Sequence, residues 1–368
     1  MYADRIARFQ ASLKESPLDA IALIPGTNLL YLTGMHFHLM ERPVVVILTA
    51  EDAPLFILPE LEQAKLDSAT FDLTPFTYGE DAESRARAFN QACAGFRRET
   101  FTLGVEPYSM RFFELNLLTA ALPGLETLSA DTLLSGLRLL KQQNEIDAMQ
   151  RAVHVAEQAL LETLAVARVG MTEKDFEAEL TMQLFRAGSD SETAFSPIVA
   201  SGPNSALPHA TPTTRAFSPG DLVIVDWGAR VDGYISDISR TFAVGDLDPE
   251  LEKIHTIVQQ ANAAGREQVR PGNTCGAPDD AARTVIEKAG YGKYFMHRTG
   301  HGIGLDAHEP PYILAGNARI QAPGMSFTIE PGIYLAERGG VRVEDDMVVT
   351  ENGHLCLTSL SRKVEVIS

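Results

Sequence analysis

Cysteine is scarce: Cys93, Cys275 and Cys356 are the three in a chain of 368 residues. An odd number so widely spaced builds neither a disulfide framework nor a zinc knuckle, so they read as small packing residues of a reduced, cytoplasmic protein. No apolar run approaches the roughly eighteen residues of a membrane-spanning helix. The opening stretch, MYADRIARFQASLKESPLDA, lacks the apolar centre of a secretory signal and reads as a short amphipathic helix. Basic residues are also few, 31 Lys and Arg against 49 Asp and Glu. The resulting net charge of −18 argues against nucleic acid or an anionic membrane as a partner. What remains is a soluble globular chain, 45% hydrophobic and long enough for two domains.

Against these absences stand two pairs of carboxylates. Asp226 and Asp237 lie in DWGARVDGYISDISRTF, and Glu330 and Glu344 in TIEPGIYLAERGGVRVEDD. Between the pairs runs HRTGHGIGLDAHEPP, with His297, His301 and His308. Four acids gathered in apolar surroundings repel one another unless protons or cations neutralise them. About four carboxylates and one imidazole suit a pair of divalent metals.

The chain divides by pattern into residues 1–133 and 134–368. In the first part, β-rich runs (AIALIP, NLLYLTG, VVVILTA, APLFILP, FTLGVEP) alternate with helical stretches, which predicts a small α/β domain. It carries neither a metal-ligand cluster nor a Gly-rich phosphate loop. The second part opens helix-rich, with a helix stop expected at Gly170. It contains a weak repeat: ARVGMTEKDFEAELTMQLFRAG is similar to VRPGNTCGAPDDAARTVIEKAG at an offset of 102 residues. Gly170, Thr172 and Gly188 map onto Gly272, Thr274 and Gly290, and Thr172 with Asp175 approximates a capping box. The carboxylates follow at offsets of 104 and 107. Duplicated halves related by a pseudo-twofold would bring all four acids to one cleft.

Asp226 closes the apolar run Leu222–Val225, where a polar side chain needs a partner, and Asp237 follows on a strand after a turn at Gly233. Glu330 closes a second apolar strand before a Pro-Gly turn. Glu344 alternates with Val341 and Val343, so its role depends on the whole constellation. Asp345 and Asp346 read as solvated or structural. Gly300, Gly302 and Gly304 around His301 would let backbone pass close to an ion and its substrate. His209, in a loop rich in Ser, Pro and Thr, has its image in the repeat near His308, so each half offers one cleft histidine. His154, His255 and His354 sit in helical or surface contexts and read as structural.

The ordered set Asp226, Asp237, His301, Glu330, Glu344 resembles the five metal ligands of the pita-bread metallopeptidases, the family of Xaa-Pro dipeptidases (prolidases), aminopeptidase P and methionine aminopeptidase. GYISDISRTF, HRTGHGIGLDAHE, TIEPGIY and GGVRVEDD carry the resemblance. It implies an α/β (α+β) chain with a C-terminal pita-bread domain behind a smaller creatinase-like N-terminal domain. It further implies two divalent cations per subunit, Mn, Co or Zn, with Asp226 and Asp237 on one, His301 and Glu330 on the other, and Asp237 and Glu344 bridging. Glu330 would accept a proton from an activated water, and His209 and His308 would stabilise the tetrahedral intermediate. His297 would contact the proline side of the substrate, with Arg298 and Arg342 holding its carboxylate or ordering the site. His36, His38 and Arg42, in TGMHFHLMERP, resemble a prolidase substrate loop that reaches the site from the partner of a homodimer. The expected reaction is hydrolysis before proline, preferentially in Xaa-Pro dipeptides. An aminopeptidase acting on longer peptides is the nearer alternative and a non-catalytic binding protein the remoter one.

Overall fold

A computed structural model describes residues 1–96 and 99–368. The chain forms two compact units, Met1–Arg138 and Leu139–Ser368.

The first unit begins with α1 (Tyr2–Lys14), whose Ile6, Phe9 and Leu13 form one buried face. Then follow β1 (Ala20–Leu23), α2 (Thr27–Thr33), β2 (Val45–Thr49), β3 (Leu55–Pro59), β4 (Thr74–Tyr78), α3 (Ala82–Ala92), β5 (Phe101–Val105), α4 (Phe112–Ala121), β6 (Leu125–Ser129) and α5 (Asp131–Arg138). The strands make one mixed sheet in the order β4-β3-β2-β1-β5-β6. Ile47, Ile57, Phe89, Leu103 and Leu118 are central to its core. NLLYLTG, expected as β-rich, is the helix α2, closed by left-handed Gly34 with buried Leu29, Tyr31 and Leu32. An apolar run this short has no period that separates strand from helix. β4 and β6 were not foreseen, because they are edge strands and most of their side chains are exposed or half-exposed.

The second unit runs α6 (Gln143–Leu164), α7 (Glu173–Ala187), β7 (Ile198–Ser201), β8 (Leu222–Trp227), β9 (Arg230–Val231), β10 (Tyr234–Ile235), β11 (Ile238–Val244), α8 (Pro249–Glu267) and α9 (Ala277–Lys288). It continues with β12 (Gly300–Gly302), β13 (Glu309–Ile313), β14 (Ser326–Ile329), β15 (Gly332–Leu335), β16 (Gly339–Arg342), β17 (Asp345–Thr350), β18 (Gly353–Cys356) and β19 (Val366–Ile367). α6 stops at Leu164, not at Gly170; the glycine lies beyond the helix, and its N–H donates to Phe217 O. Each half places a packed helix pair (α6 with α7, α8 with α9) before an antiparallel strand pair that has two of the acids within or directly beside its strands. The two sheets run β19-β11-β8-β7 and β13-β12-β14-β17-β18.

The duplication extends to fine detail. Gly170 and Gly272 have φ of 83° and 88°, and Thr172 and Thr274 each make an isolated antiparallel bridge, to Ala216 and Ile320. Thr172 and Asp175 complete the expected capping box. This is the pita-bread architecture, preceded in the chain by a creatinase-like α/β unit. Among the described residues no helix is long and apolar enough to cross a membrane.

Candidate active site

Strand order brings the acids together. In β8 the apolar residues Leu222–Val225 bury themselves, and Asp226 follows them at the cleft, opposite Ser239 of β11. Asp237 stands just before β11, Glu330 just after β14 and Glu344 between β16 and β17. Ser239 sews the halves together. Its carbonyl accepts the Glu344 N–H at 3.1 Å, and its Oγ donates to Glu344 Oε2 at 2.7 Å. Glu330 is tied by its N–H to Thr299 O at 2.7 Å.

His301, on β12, points its Nε2 at Glu330 Oε1 (3.3 Å) and Asp237 Oδ2 (3.7 Å). The glycines beside it act differently from expectation. A Cβ on Gly300 would come within 1.9 Å of Thr328 O, and one on Gly302 within 2.3 Å of Pro310 O. They admit neighbouring backbone strands, not an ion, and so fix where His301 stands. His308 brings its ring to 3.9 Å from that of His301, centroid to centroid.

The cleft, about 530 Å³, is lined by Asp226, Asp237, His301, Glu330 and Glu344, together with His209, His297, Arg298, His308 and Arg342. Phe195, Ile198, Pro208 and Ala307 form its apolar lining. Sequence reasoning named every charged member and missed the apolar ones, because Phe195 and Ile198 look like ordinary strand-flanking residues until β7 pairs Ile198 with Asp226.

Arg342 is buried, and most of its donors are committed. It bonds Asp226 Oδ2 (2.6 Å), Ser239 Oγ (2.8 Å), Pro208 O (3.0 Å) and Tyr334 Oη (3.1 Å). That pattern orders the site and leaves Arg298, whose guanidinium stacks 4.5 Å from the Tyr312 ring centre, as the freer cation at the cleft. Tyr334, which no motif in the chain singles out, also bonds His297 Nε2 at 2.8 Å and so couples the two residues. Asp345 and Asp346 are fully buried, so the solvated alternative is wrong for both. Arg240 and Arg362 pair with Asp345, and Asp346 accepts the Asp237 N–H at 3.1 Å. His36, His38 and Arg42 belong to the first unit, where Arg42 pairs with Glu80 at 3.1 Å and Glu41 at 3.5 Å.

Electrostatics tests whether cations fit this donor set. Burial, then Glu344 and Asp226, push the Asp237 carboxyl well above its ordinary range. Burial, Glu330 and Asp226 do the same to Glu344. Burial chiefly raises Glu330, to about 7, although Arg342 opposes the shift. Burial, then His308 and Arg298, hold His301 well below the usual imidazole value, so it is a neutral nitrogen donor. The buried Asp226 Oδ1 lacks a hydrogen-bond partner. Without cations Asp237 and Glu344 hold protons; with cations every donor has a use. Two triads, Asp226–Asp237–Glu344 and His301–Glu330–Glu344, each bring their ligand atoms within 4.8 Å of one another and share Glu344. The residues fit divalent metal.

A pita-bread fold with such a centre defines a metal-dependent hydrolase. Comparison with known proteins agrees: metallopeptidase family M24 matches residues 147–351, and the Creatinase/Prolidase N-terminal domain matches residues 5–140. The chain belongs to metallopeptidase family M24. An Xaa-Pro dipeptidase from Pyrococcus furiosus is 31% identical over 370 residues, covering 98% of this chain and 99% of the relative. Among solved structures, a prolidase from Thermococcus sibiricus superposes with a TM-score of 0.93 at 33% identity, covering 100% of this chain and 99% of that one. A dipeptidase from Pyrococcus horikoshii gives 0.92 at 37%, covering 98% and 99%.

Proposed function

We propose that this metallopeptidase hydrolyses the Xaa-Pro bond, preferentially in dipeptides, with two divalent cations per chain. The observation that carries the reading is the convergence of Asp226, Asp237, His301, Glu330 and Glu344 as two triads with a shared carboxylate. Asp226 and Asp237 would hold one cation, His301 and Glu330 the other, with Asp237 and Glu344 between them. Oxygen-rich sites of this kind accept Mn, Co or Zn. Bound divalent cations supply Lewis acidity and make water nucleophilic near neutral pH.

The chain's own groups do the rest. Glu330, which lines the cleft beside His301, accepts a proton from the attacking water. His209 and His308 stand at the cleft to hydrogen-bond the carbonyl oxygen as charge develops, and to help protonate the departing proline nitrogen. Arg298 binds the substrate carboxylate, a role suited to a planar guanidinium, while His297 lines the proline side. We further propose a cytoplasmic homodimer in which His36, His38 and Arg42 contact the substrate of the partner subunit.

The test is a substrate-length series after reconstitution with manganese or cobalt. Gly-Pro should be cleaved with kcat/KM at least about tenfold above that of Gly-Pro-containing tripeptides and longer peptides, a difference of roughly 1.4 kcal/mol. Preference for longer peptides would assign an aminopeptidase. Neither metal uptake nor hydrolysis would indicate a binding protein.

A further inference from the structure

His209 is exposed, sits on a loop, and makes no side-chain hydrogen bond among the described residues. Its position at the cleft is therefore set by its backbone. The two ends of that loop, Ser201 and Thr213, converge on one carboxylate: Glu173, the first residue of α7, fully buried. Glu173 Oε1 accepts the Ser201 N–H (2.7 Å), Ser201 Oγ (2.8 Å) and Asn204 Nδ2 (3.1 Å). Oε2 accepts the Thr213 N–H (2.9 Å), Thr213 Oγ1 (2.6 Å) and again Asn204 Nδ2 (3.1 Å). We propose that Glu173 is a positioning residue, a clamp that closes the 201–213 loop and thereby holds His209 at the reacting centre.

Three considerations support the assignment. Every contact to Glu173 named above is a donor, so only an acceptor on both oxygens satisfies the set. Burial opposes its ionisation, but the bonds from Thr213 and Ser201 prevail and hold the carboxyl below its ordinary value. Burying an ionised carboxylate costs more than an apolar staple would, which makes specification of one loop conformation the better account of it. The loop is also tied to the cleft along its length, where the carbonyl of Pro208, the residue before His209, accepts Arg342 Nη1 at 3.0 Å. The second half uses a similar device one helical turn further on. Asp279 of α9 accepts the Thr299 N–H (3.1 Å) and Oγ1 (2.7 Å), and its partner Arg283 bonds His297 O (3.0 Å).

The role assigned to His209 rests on the proposed peptidase reading, so the experiment separates the two. Amide hydrogen exchange on the metal-free protein reads the clamp without substrate, and Gly-Pro hydrolysis by the unaltered enzyme reads the function. Glu173→Gln keeps the shape but turns an NH₂ toward the donors. It should speed exchange across 201–213 by about tenfold or more. It should lower kcat for Gly-Pro by roughly 10- to 100-fold, while KM stays within about threefold and metal content is unchanged. Should that variant fail to fold, Thr213→Val and Thr213→Ser decide: loss of the hydroxyl should reproduce the effect in weaker form, and the serine should restore it. Unchanged exchange or unchanged kcat would overturn the clamp, as would a parallel fall of kcat, metal content and thermal stability. An unaltered enzyme inert toward Gly-Pro would defeat the substrate reading, leaving exchange to decide the clamp.

Discussion

At the scale of single residues, the site trades stability for cation binding. Asp237 and Glu344 are lifted well above their unfolded values, so in the metal-free protein they hold protons that the unfolded chain releases. Stability from that source is fully present below about pH 4 and is lost as pH rises toward the folded values. Asp237→Asn should abolish metal uptake yet stabilise the metal-free protein at pH 8 by about 0.5–2 kcal/mol. Urea midpoints in the presence of a chelator check this, and an unchanged or lower midpoint would refute it. His255 contributes with the opposite sign. Burial depresses it to about 4, so the unfolded chain binds the proton first, and stability falls as pH drops from about 6.5 to about 4. His255→Leu should flatten that limb, removing up to about 3 kcal/mol of pH dependence. Parallel pH–stability curves for the two proteins would exclude the assignment. Residue types alone pointed to the acids. They could not distinguish Arg342 as an organiser from Arg298 as the less committed cation, because that depends on Ser239, Pro208 and Tyr334 arriving from distant segments.

At the scale of elements, helix caps were legible and strand approaches were not. The Thr172–Asp175 box can be read from spacing, and Thr172→Ala should cost about 0.5–2 kcal/mol by uncapping α7, measurable as a lowered denaturation midpoint without loss of metal. Gly300 is a different case. A methyl group there meets Thr328 O at 1.9 Å, a backbone atom that cannot rotate away, so β12 and β14 must separate. Gly300→Ala should displace His301 from Glu330, costing about 1–3 kcal/mol of stability and weakening metal binding together. Calorimetric titration with manganese provides the check, and wild-type affinity would count against this account. α2 shows the converse limit: an apolar run seven residues long, NLLYLTG, is decided by the αL glycine that ends it and by the surface it meets.

At the scale of the whole molecule, the five donors of the proposed centre, Asp226, Asp237, His301, Glu330 and Glu344, lie in Leu139–Ser368, while Met1–Arg138 has its own sheet and core. Cation binding should therefore stabilise the second unit, by about 2.7 kcal/mol at a hundredfold excess over Kd. A Met1–Arg138 fragment should unfold cooperatively at a midpoint indifferent to manganese, and scanning calorimetry of both proteins tests the difference. The sequence by itself picked out the helix-pair repeat and the four acids and one histidine that line a single cleft, since these follow from residue type, order and period. Tertiary structure alone decided that the two triads share Glu344, that Ser239 joins the halves and that Asp345 and Asp346 are buried supports. It also decided that Glu173 closes the loop bearing His209. These facts depend on contacts between residues up to a hundred or so positions apart, and a pattern read along one chain has no term for such contacts.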